Sequence, residues 1–378
     1  MANKVILSAN SLWFLYNFYG GLIKEFQKIG FDVIVTGKSD HTISLLKEMG
    51  VLVIEIPFDS KSGNPLRNLN ILFNYFKIIR IYRPICVLNF TIKANIYGAI
   101  AANFFSIPCI NTQPGLGTVF MYKNVKSQVA KYLFKLTQSH PLKVFVLNYD
   151  DYYILLNNKL VPEEKISVVP GSGIDLEKFS PSIHNHNENK EMRLLYFGRI
   201  LKEKGIYELI EAIREIKNEG IDYICKFVGF IDTDNVSAIS INEIRQWEEE
   251  ELIEYEEAVI DIRPFIVECD IVLLPSYREG LPQSLMEASA MEKIIVATNI
   301  QGCKDVVIDE YNGFLCEPKN WRSLYNTIKK VIILSLEQRI EMGKNGRKYI
   351  SERFEKSIVY KNYLDLVNNI NKTPLKNK

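Results

Sequence analysis

The sequence predicts an α/β protein built from two doubly wound, Rossmann-like domains that face each other across a cleft. The chain has 378 residues, which is too long for one ordinary hydrophobic core and suits two domains of roughly 150 to 200 residues each. Short apolar runs alternate with helical stretches twice along the chain, as they do in parallel sheets covered by helices. A polar segment separates the two series of runs, which places a domain boundary between them.

The first series of apolar runs predicts an N-terminal domain over residues 1–175. Its strand-like segments are KVILSA, DVIVTG, VLVIEIP, ICVLNF, CINTQ, KVFVLN and ISVVPG. The start of the chain is apolar, but it has polar Ser and Asn residues inside it and no small-residue cleavage site. This favours a first strand and helix over a signal peptide.

The second series predicts a C-terminal domain over residues 193–350, after a polar linker at 176–192. Its strand-like segments are RLLYFG, YICKFVG, IDIRPF, IVLLPS, IIVATN and GFLCEP. Residues 351–378 are expected to form a C-terminal helix and a polar tail. Ligands of open parallel sheets bind at the carboxyl ends of the strands, so we expect the site where these ends of the two domains face each other.

Composition limits the classes of function. Charged residues make up 24% of the chain and the formal net charge is +1, which argues against disorder. The six cysteines are scattered through apolar runs without metal-ligand spacing, which predicts reduced, buried thiols in a cytoplasmic protein. No apolar run reaches the length of about 18 residues that a membrane-spanning helix needs.

Charge is unevenly distributed along the chain. Residues 1–180 carry 19 Lys and Arg against 12 Asp and Glu, whereas the remainder carries 27 against 33. No acidic residue lies between Asp59 and Asp150, and cations lie among Leu, Ile, Phe and Tyr in two amphipathic stretches, 67–83 and 119–136. Each stretch alone suits an ordinary helix with a solvated basic side, but the long absence of acids favours an anionic membrane surface or a polyphosphate. Nucleic acid is not expected, because no recognised nucleic-acid module is present.

The second domain begins with a candidate phosphate-binding loop. Its first strand leads into a loop that holds Arg199 and Lys204, before a helix that starts near residues 205–206. Arg offers a planar fork of donors to a phosphate, and Lys adds a compact charge. Gly198 and Gly205 let the backbone approach a ligand closely. Taken alone, the motif is also typical of a solvated loop.

A second candidate anion site lies in SYREGLPQSLMEA, residues 276–288. Pro282 suits the first turn of a helix, which we predict to begin near Leu281. Its backbone amides and the positive end of its dipole would bind an anion beside the first loop. Either acid of this segment alone is typical of a helix start. Together they predict a sugar at Glu279, phosphates between the acids, and a ribose at Glu287.

These segments resemble a known family. FGRILKEKG, DIVLLPSYREGLPQSLMEASA and GCKDVVIDEYNGFL are similar to the donor domain of the retaining nucleotide-sugar glycosyltransferases of family 4, which have the two-domain GT-B fold. VVPGSGIDLEKFSP resembles their connection between domains. NFTIKANIYGAIAA and NTQPGLGTVF resemble the branch that acts on polyprenyl-diphosphate-linked sugars in surface-polysaccharide or glycoprotein glycan assembly. The resemblance covers nearly the whole chain, more strongly in the second half.

The resemblance implies roles for individual residues of the second domain. Arg199 and Lys204 would neutralise the leaving diphosphate. Glu287 would bind the ribose, and Glu279 would lie near the donor sugar. The expected catalytic residues are therefore Glu279, Arg199 and Lys204, and the expected donor-binding residues are Gly198, Arg199, Lys204, Phe265, Glu279, Gly280, Leu281, Pro282 and Glu287. The base is expected to be uridine, with Phe265 beside it.

The acceptor is expected to bind the first domain. Lys93, which follows a strand end together with Thr91 and Asn95, is the candidate for the acceptor's diphosphate. Asn17 and the glycine pair at 20–21 follow the first strand, where a loop could face the donor, although the glycines equally suit packing or capping. The expected acceptor-binding residues are Asn17, Lys93, Asn95, Gly115, Gly117 and Thr118. Many family members have a His near the acceptor, and its absence from QPGLGTV puts a His-assisted role in doubt.

Together these inferences predict a retaining enzyme that moves a hexose or N-acetylhexosamine from a UDP-sugar to a polyprenyl-diphosphate-linked glycan, in polysaccharide, O-antigen, capsule or glycoprotein glycan synthesis. Members of the fold generally need no divalent metal, and no Asp-x-Asp sequence is present, so no metal or other cofactor is expected. The enzyme is expected in the cytoplasm, bound peripherally to the inner face of the membrane. Two alternatives stay open: a UDP-sugar 2-epimerase of the same fold, and an inactive sugar-nucleotide-binding subunit.

Overall fold

The structure, a computed structural model, divides the chain into two units. It describes residues 3–58, 65–116, 125–181, 191–233 and 235–372. One unit is Met1–Gly173 together with Lys356–Lys378, and the other is Ile174–Glu355. Each unit contains one sheet in which all named strands pair in parallel. The predicted fold class of two doubly wound α/β domains is therefore confirmed.

The first unit has a seven-stranded sheet. Its strands are β1 (Lys4–Ser11), β2 (Asp32–Lys38), β3 (Leu52–Glu55), β4 (Cys86–Phe90), β5 (Cys109–Gln113), β6 (Lys143–Val146) and β7 (Ile166–Val168). Its helices include α1 (Leu12–Lys28), α2 (Ile43–Glu48), α3 (Pro65–Tyr82), α4 (Ile92–Phe104), α5 (Val125–Thr137) and α6 (Tyr149–Asn157). The strand order is β3-β2-β1-β4-β5-β6-β7.

The second unit has a six-stranded sheet. Its strands are β8 (Met192–Phe197), β9 (Tyr223–Val228), β10 (Glu254–Glu256), β11 (Ile271–Leu274), β12 (Ile294–Thr298) and β13 (Phe314–Cys316), in the order β10-β9-β8-β11-β12-β13. Its helices are α7 (Ile206–Asn218), α8 (Ile241–Glu249), α9 (Arg263–Glu268), α10 (Gln283–Ala290), α11 (Gln301–Lys304), α12 (Trp321–Ile332) and α13 (Leu336–Phe354). The last helix, α14 (Lys356–Lys372), belongs to the first unit.

Local sequence explains these elements. The residues of β11 are Ile, Val, Leu and Leu, and all four are buried, as expected for a parallel strand covered on both faces. Helix α7 buries Ile206, Leu209, Ile210, Ile213 and Ile216, which recur with helical spacing, while its other face carries charges. None of the helices within the described ranges combines the length and the hydropathy needed to cross a membrane.

Both sheets reverse their strand order at one internal pair of strands. In the first sheet, β1 to β3 run outward on one side and β4 to β7 on the other. In the second sheet, β8 to β10 and β11 to β13 do the same. The connections leaving such a pair diverge, and ligands of doubly wound sheets bind at the carboxyl ends of the strands there. The fold therefore provides one switch point in each unit, at β1/β4 and at β8/β11.

The limits of the two units differ in detail from the expected domains. The expected boundary at residue 175 lies close to the observed division after Gly173. Helix α14, expected to form a separate C-terminal segment, instead packs in the first unit, where the Tyr363 hydroxyl lies 2.9 Å from Thr112 Oγ1. Most of the expected linker, residues 182–190, lies outside the described residues.

Candidate functional site

The β8/β11 switch point carries most of the predicted donor residues. Gly198 and Arg199 follow the carboxyl end of β8, and Ser276 and Glu279 follow the carboxyl end of β11. The Gly198 N–H donates to the carbonyl oxygen of Val228 at 3.0 Å, which extends the pairing of β8 with β9. Because β8 and β11 are neighbours, the structure brings the two predicted loops to the same edge of the sheet.

Lys204 and Glu279 join the two loops directly. Lys204 Nζ lies 2.5 Å from Glu279 Oε1, and the two side chains are only 17% and 12% exposed. The Ser276 hydroxyl donates to the same oxygen at 2.6 Å. A largely shielded, charge-assisted pair of this kind holds its groups more firmly than a surface ion pair. Within the described part of the chain, Glu279 Oε2 accepts no hydrogen bond, so this oxygen is available to a ligand.

A left-handed glycine allows the Lys204 loop to pack against β11. Lys202–Lys204 form a 3₁₀ turn, and Gly205 follows with a φ of 72°. A Cβ on Gly205 would overlap the carbonyl oxygen of Pro275, which immediately precedes Ser276. Only glycine combines this backbone conformation with this close approach. Helix α7 then begins at Ile206, within the predicted range.

Two residues that sequence reasoning missed support the Glu279 loop, one at the end of β12 and one in α11. The Thr298 hydroxyl donates to the carbonyl oxygen of Ser276. A Cβ on Gly302 would lie 2.7 Å from the carbonyl oxygen of Glu279 and 2.6 Å from that of Gly280. Gly302 could have been noticed, because it is a glycine that follows shortly after a predicted strand. Nothing in the sequence distinguished Thr298.

Helix α10 begins slightly later than predicted. It spans Gln283–Ala290, and Pro282 is its N-cap, with φ −73° and ψ 111°. This corrects the expected start near Leu281, which instead packs, partly buried, against the hydrophobic core. The backbone amides of the first turn of α10 lie at the end of the helix nearest the Glu279 loop. They have no acceptor within the helix, as at any helix N-terminus. Glu287 is the fifth helical residue and is half-buried.

Phe265 lies away from these residues. Its ring is in α9, with Lys226 Nζ 5.9 Å from the ring centroid. It lines a cavity together with Arg193 and Glu254, which lie near the amino ends of β8 and β10. Gly198, by contrast, follows the carboxyl end of β8. The expectation that Phe265 lies beside the base is therefore wrong, because α9 leads into the amino end of β11 and its residues face that edge of the sheet.

The β1/β4 switch point of the first unit carries a polar pair, Asn10 and Thr91. The Thr91 hydroxyl donates to Asn10 Oδ1 at 2.8 Å, and the Asn10 N–H donates to Thr91 Oγ1 at 3.2 Å. Thr91 has a φ of 94°, which is rare for a β-branched residue and costs roughly 1–3 kcal/mol. Lys93, half-buried, is the second residue of α4 and lies at the carboxyl edge where it was predicted. Sequence reasoning missed Asn10.

Asn95 belongs to a buried network and does not face solvent. Its side chain is fully buried and donates to the carbonyl oxygen of Thr112 at 2.9 Å and to Gln113 Oε1 at 3.0 Å. The Asn111 side chain donates to the carbonyl oxygen of Asn95 at 3.0 Å and to Gln138 Oε1 at 2.8 Å. The expected contact of Asn95 with the acceptor is therefore wrong, because this buried side chain joins α4 to β5 through hydrogen bonds.

Asn17 and the glycine pair lie in a helix and not in a loop. Strand β1 passes directly into α1, which Ser11 caps. Asn17 is exposed, and its side-chain amide donates to the carbonyl oxygen of Trp13 at 3.0 Å. A Cβ on Gly21 would overlap the ring and hydroxyl of Tyr360 in α14. The structure therefore favours packing, one of the two predicted roles, for Gly21.

The remaining acceptor candidates follow β5. Gly115 is half-buried, and its carbonyl oxygen accepts a hydrogen bond from the Gln113 side chain. Gly117 and Thr118 lie outside the described residues, so their contact with an acceptor stays a prediction.

The Glu279 charge affects two buried neighbours. Burial, and then the charge of Glu279, raise the pKa of the Tyr196 hydroxyl and of the Cys303 thiol, so both groups stay protonated at neutral pH. The Tyr196 hydroxyl donates to the carbonyl oxygen of Arg199 at 2.7 Å, which fixes the backbone at the start of the Arg199 loop. In the residues that the structure describes, no three His, Cys, Asp or Glu side chains are grouped as metal ligands.

The β8/β11 edge thus combines groups that suit a phosphorylated sugar. Arg199 is exposed in the loop that also carries Lys204, Lys204 is paired with Glu279, and the N-terminal end of α10 follows the Glu279 loop. Cations and helix amides stabilise negative charge on phosphates. Carboxylates such as Glu279 and Glu287 orient hydroxyl groups by accepting their hydrogen bonds.

Two family models match the chain. Residues 178–349 match the model described as Glycosyl transferases group 1. Residues 4–146 match the model described as Glycosyl transferase 4-like. The two matches fall in the second and the first unit respectively, and together they account for most of the chain.

Individual proteins are similar over nearly the whole chain. The N,N'-diacetylbacillosaminyl-diphospho-undecaprenol alpha-1,3-N-acetylgalactosaminyltransferase of Campylobacter jejuni is 27% identical over 372 residues, covering 94% of this chain and 96% of that protein. The UDP-Gal:alpha-D-GlcNAc-diphosphoundecaprenol alpha-1,3-galactosyltransferase of Escherichia coli is 25% identical over 341 residues, covering 86% of this chain and 85% of that protein. Among solved structures, Anabaena HepE in complex with UDP and glucose has a TM-score of 0.81 at 17% identity, covering 97% of this chain and 100% of that one. This last likeness shows a shared fold.

Proposed function

Because this chain belongs to the glycosyltransferases, with a Glycosyl transferase 4-like domain followed by a group 1 domain in a GT-B fold, we propose that it transfers a sugar from a UDP-sugar to a polyprenyl-diphosphate-linked acceptor. One observation carries the proposal: Arg199, the Lys204–Glu279 pair and the N-terminal end of α10 meet at the β8/β11 switch point. This is the edge at which doubly wound sheets bind nucleotides.

The donor is proposed to lie along this edge with its parts in order. The diphosphate binds Arg199, Lys204 and the first-turn amides of α10, which supply positive charge and donors. The ribose hydroxyls donate to Glu287, and the transferred sugar donates to the open oxygen of Glu279. The E. coli relative is named for a UDP-sugar donor, which supports uridine as the base.

Stabilisation of the leaving diphosphate is the proposed source of the rate enhancement. The bond between the anomeric carbon and the phosphate oxygen breaks, and negative charge develops on the diphosphate. Arg199, Lys204 and the helix amides are proposed to lie where this charge appears, and to supply the positive charge that a divalent metal provides in other enzymes. The proposed reaction is therefore independent of metal.

The proposed stereochemistry is retention by attack on the front face. The acceptor oxygen bonds to the anomeric carbon on the side from which the diphosphate departs, and its proton passes to the leaving phosphate oxygen. Glu279 steadies the donor sugar and does not attack it. The contacts of Glu279 support this role, since its Oε1 is already held by Lys204 and Ser276.

The acceptor is proposed to bind the first unit near Lys93. Both curated relatives described above are named for an undecaprenyl-diphosphate-linked acceptor. Lys93 lies at the β1/β4 switch point, where the strained Thr91 is the N-cap of α4. A cation beside the first amides of a helix suits the acceptor's diphosphate. Capsule or O-antigen synthesis is the proposed setting.

An anionic membrane surface is proposed as a further partner. Helix α4 packs between α3 and α5, so the three form one layer on the sheet. Phe73 of α3 and Tyr132 of α5 are 74% and 63% exposed, on faces that also carry the exposed cations Lys77 and Lys135. Apolar side chains among cations, with no acids between Asp59 and Asp150, suit anionic lipid headgroups.

Sedimentation with lipid vesicles tests this membrane proposal. The protein is expected to bind phosphatidylglycerol vesicles at low salt and to dissociate as salt is raised, because ions screen the attraction. Vesicles of zwitterionic phosphatidylcholine, which has no net charge, serve as the control. Binding that does not respond to salt, or no binding at all, contradicts the proposal.

The reaction itself is tested by measuring UDP release from a panel of UDP-sugars in EDTA, with and without a short polyprenyl-diphosphate sugar. Release from one donor that depends on the acceptor is expected, and it identifies the sugar. Free sugar or an epimer formed without acceptor indicates a 2-epimerase. Release from none of the donors contradicts the proposed function.

A further inference from the structure

Ser276 contacts the carboxylate that the proposed reaction places beside the donor sugar. It lies two residues after β11 and is fully buried. Its hydroxyl donates to Glu279 Oε1 at 2.6 Å, and Lys204 Nζ lies 2.5 Å from the same oxygen. One carboxylate oxygen is therefore held by two donors, one neutral and one charged, while the other oxygen accepts no hydrogen bond from the described residues.

The two donors differ in what a bound diphosphate does to them. Lys204 is a mobile cation with three donors, and in the proposed reaction it also binds the diphosphate. A diphosphate carries more negative charge than a carboxylate, so it competes with Glu279 for this ammonium. Ser276 is neutral and fully buried, so its hydroxyl remains with Glu279.

The position of the Ser276 hydroxyl is fixed from both sides. The backbone carbonyl oxygen of Ser276 accepts a hydrogen bond from the Thr298 hydroxyl at the end of β12. The preceding Pro275 packs against Gly205, and the backbone of Glu279 packs against Gly302. The short segment between these contacts has little freedom, so the hydroxyl keeps its direction when a ligand enters.

We propose that Ser276 is a positioning residue for sugar transfer: its hydroxyl holds Glu279 in place while Lys204 engages the diphosphate, so that Oε2 of Glu279 faces the donor sugar. This inference rests on the proposed function. Ser276 acts through Glu279 and touches no substrate. Loss of its hydroxyl therefore affects the transfer step and leaves nucleotide binding unchanged.

Kinetics of Ser276→Ala, with Ser289→Ala as the matched control, test the inference. Ser289 is equally buried in the same unit, and its hydroxyl has no partner in the described part of the chain. Ser276→Ala is expected to lower kcat about 10- to 100-fold, the range for a hydrogen bond to a charged group. The KM for the UDP-sugar and the affinity for UDP are expected to change less than about twofold. Ser289→Ala is expected to retain wild-type values.

A double-mutant comparison separates positioning from a general structural role. If Ser276 acts through Glu279, adding Ser276→Ala to Glu279→Gln lowers kcat by less than about twofold more, because the group it positions is already altered. If the loss of kcat in the double variant equals the product of the losses in the two single variants, the inference is overturned. A Ser276→Ala variant with wild-type kcat also overturns it. If Ser276→Ala does not fold, Ser276→Cys replaces it, since a thiol is a weaker donor.

The same experiment distinguishes this inference from the proposed function. A wild-type protein that transfers no sugar under any donor and acceptor overturns both. An active wild-type enzyme whose Ser276→Ala variant is equally active overturns only the role of Ser276. Parallel loss of UDP binding and kcat in Ser276→Ala also overturns it, because it shows a collapse of the site.

Discussion

Glu279 and Glu287 are both glutamates of one short segment, but their surroundings differ. Glu279 precedes α10, is 12% exposed and is held by Lys204 and Ser276. Glu287 lies inside α10 and is half-buried. A carboxylate with one oxygen held and one available suits a fixed contact with the reacting sugar. At the residue scale, substitution of Glu279 and substitution of Glu287 are therefore expected to change the activity of the enzyme in different ways.

Glu279→Gln is expected to reduce turnover strongly without loss of nucleotide binding. The amide cannot accept from Lys204 as a charged group does, so the contact with the donor sugar weakens in the transition state. We expect kcat to fall about 10²-fold, as when one preorganised stabilising group is removed, with UDP affinity nearly unchanged. Steady-state kinetics and UDP titration measure the two effects. Complete loss of UDP binding contradicts this assignment.

Gly205→Ala is expected to destabilise the second unit by about 3 kcal/mol, from left-handed backbone strain and the clash with Pro275. Gly220→Ala is the matched control, because Gly220 has a φ of 71° and nothing lies within 4 Å of its added Cβ. The control is expected to lose only about 1–2 kcal/mol. Urea unfolding gives both free energies, and equal losses contradict a role for the close approach.

At the scale of elements, buried amides join β4, β5, α4 and the segment after α5. Asn89 donates to Asn111 Oδ1 at 2.9 Å, and Asn111 donates onward to Gln138 Oε1 at 2.8 Å. These side chains are fully buried, so their partners have no water to replace a lost hydrogen bond. The network therefore holds the helix that carries Lys93 against the sheet.

Asn111→Ala is expected to lower the free energy of unfolding by about 2–4 kcal/mol, because it removes the acceptor of the Asn89 side-chain amide and the donor to Gln138 Oε1 in the interior. Asn158→Ala is the control, since within the described ranges its exposed side chain donates to the carbonyl oxygen of Ile154 and to no other acceptor. We expect a change within about 0.5 kcal/mol for this surface substitution. Thermal or urea unfolding of both variants measures the difference. Similar values for the two variants contradict the importance of the network.

The sequence predicted elements better than it predicted side-chain directions. Alternating apolar runs identified the two sheets, and the Arg199 and Glu279 loops were placed correctly at strand ends. The start of α1 was missed, although Ser11 is a favoured N-cap residue. Asn95 and Phe265 were misplaced because sequence position alone does not show whether a side chain faces a ligand, the core or the opposite edge of a sheet.

At the scale of the whole molecule, the return of α14 to the first unit was not predicted. Tyr363 of α14 packs edge-on against Tyr19 and Phe145, with ring centroids 6.3 Å and 5.0 Å apart. These partners lie far apart along the chain, and no local pattern reveals such pairings. The apolar face of α14 was visible in the sequence, but the unit that buries it was not.

All six cysteines are buried, which predicts protected thiols and sensitivity to high pH. Burial raises the pKa of Cys109, Cys269 and Cys316 to about 12, and it also raises the pKa of the other three thiols. The unfolded thiols ionise near pH 9, so the unfolded chain loses protons first. Stability is therefore fully present below pH 9 and is expected to decrease between about pH 9 and 12.

Thiol labelling and alkaline unfolding measure this prediction. A thiol reagent is expected to modify almost no cysteine in the native protein at pH 8 and all six in denaturant. The urea midpoint is expected to fall from pH 8 to pH 10. Rapid native labelling, or a midpoint that rises with pH, contradicts the buried placement of the thiols.

The central claim is that the β8/β11 edge of the second unit binds the nucleotide. Calorimetric titration of UDP in EDTA, comparing wild type with Glu287→Ala, tests it most directly. Glu211→Ala is the control, because Glu211 pairs on the exposed face of α7 with Arg214, which is its one ion-pair partner among the residues that the structure describes. Wild type and control are expected to bind UDP equally, whereas Glu287→Ala weakens binding at least about 10-fold through lost ribose hydrogen bonds. Unchanged UDP affinity in Glu287→Ala, or no binding by wild type, contradicts the account.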